Sequence, residues 1–134
     1  GFMSFTGIEG KARYGSTAIA DILPVDLLAY DDRVETSEGT TPHLVDEQHP
    51  IFSGICGAWP YVIGYNKTKE NPEKGRVIAR LNNDPFISVG DFGLGRSVAY
   101  TSDCAPHWAS PDFIAWTYYT KLFQNIADYL TEKR

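Results

Sequence analysis

The sequence predicts an α/β domain with a mixed sheet, in which antiparallel strands lie near the C-terminus and a C-terminal helix packs on them. Three observations carry this expectation. Between Pro60 and Thr101, runs rich in β-branched and aromatic residues alternate with short Asn-, Asp- and Gly-containing turns. From Ser110 onward, apolar residues recur at helical spacing. Residues 16–30 read as a short helix followed by a strand. At 134 residues the chain has the size of one domain.

The elements follow in order. GFMSFTGIEGKARYG (1–15) holds four glycines and little periodicity, so it reads as loop. Ser16 or Thr17 caps a short helix, STAIADIL, which Pro24 ends. VDLLAY (25–30) is a strand, and DDRVETSEGTTP (31–42) a charged excursion turning at Glu38-Gly39. HLVDEQHPIFSGI (43–55) is irregular, with a helical turn after His49-Pro50. PYVIGYNKTKE (60–70) is strand-like, and NPEKG turns the chain. RVIARL (76–81) alternates, with Val77, Ala79 and Leu81 on one face. After NNDP, PFISVGDF (85–92) and RSVAYT (96–101) form two more strands joined tightly by GLG, which makes them antiparallel neighbours. The last helix begins with Ser110 as N-cap, Pro111 in the first helical position and Asp112 facing the dipole. Tyr119, Leu122, Phe123, Ile126 and Leu130 form its sheet-facing stripe, and Lys133 and Arg134 suit its end.

Composition narrows the function. The hydrophobic share is 43%, and 7 Phe, 8 Tyr and 3 Trp make a bulky core. The net charge is −5 with no basic stripe, which argues against nucleic acid. No apolar run reaches membrane-spanning length; AIADILPVDLLAY is broken by Asp21, Pro24 and Asp26. No membrane partner is expected. With no secretory segment in view, Cys56 and Cys104 read as reduced thiols of a cytoplasmic protein. The opening GFMSF, without initiator Met, reads as if cut from something longer.

A series of segments resembles a known family. They are GFMSFTGIEGK, T-x-x-A-D-I-L-P-V, HPIFSGI, PF-x-SVGDFGLGRSVAYTSD, APHW and SPDFIAW, with TSD-x-APHW and Trp116-x-x-Tyr119 the most specific. Together they resemble the class I glutamine amidotransferase-like family of cytoplasmic proteins, distantly similar to trehalose-utilisation-type proteins. The resemblance implies that this chain is the C-terminal half of a flavodoxin-like domain about twice its length. It does not carry an activity with it. The family's superfamily uses a Cys-His-Glu glutaminase triad with the Cys on a G-x-C-x-G elbow, and ADILPVDLLAY, where the elbow is expected, has no Cys.

Several segments hold candidate chemistry. GICGA (54–58) looks like a degraded elbow, but no strand precedes it and Ala58-Trp59-Pro60 cannot open a helix, so Cys56 reads as a buried structural thiol. HLVDEQH would place His43 and Glu47 on one helix face, but Pro42 and Pro50 bracket it; a solvated connection, not a metal site, is expected. GDFGLGR (90–96) opens a strand rather than a helix, so its glycines serve a hairpin and not a phosphate. The sequon NKT (66–68) has no role in a cytoplasmic protein.

DCAPHW (103–108) differs because it directly follows a strand, and ligands of α/β sheets bind beyond strand ends. The resemblance also places it near the pocket-forming loops. Three readings stand. The first is a closing turn, in which Asp103 accepts backbone N–H groups and Trp108 plugs the sheet–helix junction. The second is ligand binding by His107 and Asp103 with Trp108. The third is covalent catalysis by Cys104 with His107 as base and Asp103 as orienting group. In the opening loop, Ser4, Thr6, Glu9, Lys11 and Arg13 are candidates to line the same crevice, the two cations suiting a carboxylate or phosphate.

Two functions follow. One is a small-molecule site with hydrolase or transferase chemistry and no cofactor or metal. The other is a non-catalytic binding or oligomerisation module built on Trp59, Tyr61, Tyr65, Trp116, Tyr118 and Tyr119. Either way, half a parallel sheet exposes an edge, so the chain is expected to form a homo-oligomer or pair with its missing N-terminal half.

Overall fold

The structure, a computed structural model, describes residues 14–132. After a 3-10 turn at Tyr14–Ser16, helix α1 spans Ala18–Ile22 and strand β1 spans Val25–Leu27. Then come β2 (Arg33–Thr40), β3 (His43–Leu44), a 3-10 turn at Pro50–Phe52, β4 (Val62–Asn66) and β5 (Thr68–Glu70). The chain continues through β6 (Gly75–Leu81), β7 (Asp84–Phe92) and β8 (Gly95–Tyr100) to α2 (Pro111–Ile114) and α3 (Tyr119–Thr131). The fold is therefore mixed α and β, with a C-terminal helix and, among the described residues, antiparallel sheets in place of the expected mixed sheet.

The largest sheet has the order β3-β6-β7-β8, and every strand pair among the described residues is antiparallel. Pleating gives β7 and β8 two different faces. Ile87 faces Tyr100 and Val89 faces Val98 on the side where Phe123 of α3 packs at 5.5 Å from the Tyr100 ring. This side joins the main core with Leu122 and Ile126. The other side carries Ser88, Gly90, Ser97 and Ala99, residues small enough for the α1–β1 segment to cross closely. Leu23 and Val25 pack there on Ala99, and a Cβ at Gly90 would stand 2.9 Å from Pro24.

The expected hairpin is present: Gly93, at φ +59°, and Leu94 turn β7 into β8. Three expectations need correction. Residues 31–42 are no turn, because Arg33–Thr40 forms β2 on β4, with a register shift near Gly39, whose φ is +78°. Alternate exposure along 33–37 shows the period-two pattern that the charges concealed. In β6 the single-face alternation fails: the register shifts around Ala79, and Val77, Ile78 and Ala79 are all buried. The C-terminal helix is also not continuous. Ser110 caps α2 through Phe113 N–H at 3.0 Å, but the helix stops at Ile114. Trp116 instead turns into an aromatic cluster, 4.7 Å from Trp59 and 5.9 Å from Phe113, before α3 starts. Lys133 and Arg134 lie outside the described residues.

Candidate functional site

Thr101 ends the β8 run by donating its hydroxyl to Pro85 O at 3.0 Å, and Ser102 donates to Gly64 O at 2.7 Å. These two buried bonds fix where DCAPHW leaves the sheet. Asp103 then organises the loop. Its Oδ2 lies 2.8 Å from His107 Nδ1 and accepts the Trp108 N–H at 3.3 Å. Trp108 is only 6% exposed, while the His107 side chain is 66% exposed and stacks on the indole at 5.5 Å. The indole lies flat on β4: a Cβ at Gly64 would stand 2.4 Å from its Cδ1 and Nε1. Its Nε1–H is buried and has no hydrogen-bond partner. The loop is further tied to α3 by Tyr119, whose hydroxyl donates to the Cys104 carbonyl.

His107 and Trp108 form one wall of an open depression of about 520 Å³. The other wall is Glu35, Thr36 and Ser37 of β2, with Ile63 of β4. Those four residues were not legible as site residues, because the segment supplying three of them reads as a turn. Cys104 is exposed but opens elsewhere, into a groove of about 450 Å³ lined by Tyr119, Thr120, Phe123, Gln124 and Ala127. The structure thus brings Asp103, His107 and Trp108 together, and holds no hydrogen bond between Cys104 and His107. Ser4, Glu9 and Lys11, like Thr6 and Arg13, lie outside the described residues.

The remaining candidates resolve differently. Cys56 is exposed, not a buried structural thiol, because the Gly54–Gly57 loop, with φ of +70° and +80° at its glycines, carries it outward. His43 sits in strand β3 opposite Arg80, so it shares no helix face with Glu47. His49 is not solvated. It is 4% exposed, accepts the Ile51 N–H on Nδ1 at 3.3 Å, and lies 5.0 Å from the Tyr129 ring. Burial lowers its pKa, with Arg76 and Arg96 adding to the effect and Asp46 opposing it. Asn66 of the sequon is buried and donates to Asp32 at 2.9 Å. Among the described residues, no group of three or more His, Cys, Asp or Glu could hold a metal ion, and no helix is long and apolar enough to cross a membrane.

Comparison with known proteins agrees with the fold. The chain superposes on two solved structures, the cytoplasmic proteins STM3548 from Salmonella typhimurium and STM1381 from Salmonella typhimurium LT2. Each match has a TM-score of 0.89 and 38% sequence identity. They cover 95% and 97% of this chain but 51% and 52% of theirs, so the chain spans about half the length of these relatives. No curated protein matches it. The GATase1_like family model, described as "Putative glutamine amidotransferase", matches residues 1–132. The chain belongs to this glutamine amidotransferase-like family.

Proposed function

We propose that this chain is the C-terminal half of a flavodoxin-like, class I amidotransferase-like domain of a cytoplasmic protein, and that it binds a small molecule at the Asp103–His107 pair. The chemistry is of the hydrolase or transferase kind, and the Cys-His-Glu glutaminase triad is lacking. The half-length coverage of two cytoplasmic proteins supports the reading of this chain as part of a longer one.

The single observation that carries the site is the 2.8 Å contact between Asp103 Oδ2 and His107 Nδ1. A carboxylate on Nδ1 fixes the proton there and leaves Nε2 as the acceptor. That nitrogen belongs to a residue lining the depression with Ser37 and Glu35. Such an imidazole can take a proton from a bound hydroxyl, water or amine and return it to a leaving group. Cys104 faces the other groove, so no thiol step is assigned to it.

The test is turnover of ester and amide substrates by the full-length protein. His107→Ala is expected to lower turnover by roughly 10²–10⁴-fold, the usual contribution of a general acid–base group. Asp103→Asn should lower it less, and Cys104→Ser should retain it. A loss confined to Cys104→Ser would overturn the assignment and return the chemistry to the thiol.

A second reading, a non-catalytic binding or oligomerisation module, is favoured by one feature. The β7–β8 hairpin tip presents Phe92 half exposed and Leu94 98% exposed. The aromatic residues offer it less, since Trp59 and Tyr65 are buried in the core. Ligand binding without turnover, or a stable homo-oligomer, would favour this module.

A further inference from the structure

The depression beside His107 has a sign. Its described lining includes one carboxylate, Glu35, and no Lys or Arg. Strand pairing sets where that carboxylate stands. Glu35 lies opposite Gly64 in the β2–β4 register, and cross-strand partners share a face. The Trp108 indole lies on Gly64, so Glu35 rises on the Trp108 side of the ribbon. Its side chain is 56% exposed, and Arg33 Nη1 stands 3.8 Å away, a loose ion pair. Arg33 is shared with Asp31, whose Oδ1 accepts its backbone N–H at 3.2 Å and its Nε–H at 3.4 Å. Two carboxylates around one guanidinium leave this edge of the depression negative.

The lining offers a ligand mostly lone pairs. The Glu35 carboxylate can only accept. His107, with Asp103 2.8 Å from Nδ1, keeps Nε2 as an acceptor. The Thr36 and Ser37 hydroxyls accept as well as donate. The anion expected from Lys11 and Arg13 therefore has no cation to meet in the described lining, whereas a donor-rich cation has several acceptors. The floor itself lacks one acceptor. Trp108 is only 6% exposed, and its Nε1–H is buried without a partner. Buried donors are nearly always satisfied, so an oxygen belongs against it.

We infer that the depression takes a small ammonium compound carrying a carbonyl oxygen, and that Glu35 selects it by charge. The ammonium group pairs with Glu35, and the carbonyl oxygen supplies the acceptor missing at Trp108. Glu35 is thus a specificity-determining residue. This inference rests on the reading of Asp103 and His107 as a ligand site and adds the charge of the ligand to it.

Three amides of one shape and different charge test it on the full-length protein. Glycinamide is a cation at pH 7, where an α-amino group is largely protonated. Propionamide is its neutral counterpart and malonamate its anionic one. Binding is followed by the NMR shift of the His107 ring protons, assigned with His107→Ala. Glycinamide should bind about fivefold more tightly than propionamide, the scale of an ion pair near the surface, and malonamate more weakly than both. The preference should shrink as salt is raised. Glu35→Gln should bring glycinamide and propionamide to within about twofold, and Glu35→Asp, which keeps the charge, should restore part of the difference. Equal binding of the two in the unmodified protein would overturn the inference. So would a preference that survives Glu35→Gln, tightest binding of malonamate, or no shift with any of the three. Any of these leaves the Asp103–His107 site standing so long as ester turnover still depends on His107. Loss of that dependence removes the site, and this inference with it.

Discussion

His49 makes a clear statement about pH. Burial lowers the pKa of its imidazole in the folded chain below the ordinary 6.5. On acidification the unfolded chain takes the proton first. The contribution is therefore complete above pH 6.5 and is lost as pH falls from there towards the folded pKa. Asp46, which Arg76 holds below its ordinary 3.8, loses its contribution only at far lower pH. His49→Asn keeps an acceptor for the Ile51 N–H but cannot titrate, so its stability should fall less steeply between pH 7 and 5 in denaturant titrations. Gly64 is the other telling residue. A methyl there would stand 2.4 Å from the Trp108 indole. Gly64→Ala should cost about 1–3 kcal/mol and shift the tryptophan fluorescence, because Trp108 must leave its place.

Among the elements, α2 depends most on one side chain. The Ser110 hydroxyl accepts the Phe113 N–H and donates to Tyr61 O at 2.6 Å, joining the helix start to the entry of β4. Ser110→Ala should cost about 1–2 kcal/mol by urea unfolding, the upper part of the N-cap range, because a second buried bond is lost. The β7–β8 hairpin and the start of α2 were legible in the sequence, because alternation, a glycine turn and a capping serine are local signals. β2 was hidden because its charges resemble a loop, although Val34 and Thr36 already alternate with exposed neighbours. The break before α3 was not legible, because only tertiary packing of Trp116 on Trp59 explains it. The site shows the same division. Asp103 and His107 lie four residues apart and could be read as a pair, whereas Glu35, Thr36 and Ser37 reach the depression only through the pairing of β2 with β4.

For the whole molecule, the central claim is that these 134 residues are half of a domain whose ligand site includes Asp103 and His107. Intact mass with peptide mapping, on protein from its native source, tests this most directly. The account predicts a polypeptide of about twice 14.9 kDa, with peptides preceding Gly1. A native mass of 14.9 kDa with Gly1 as first residue would contradict it.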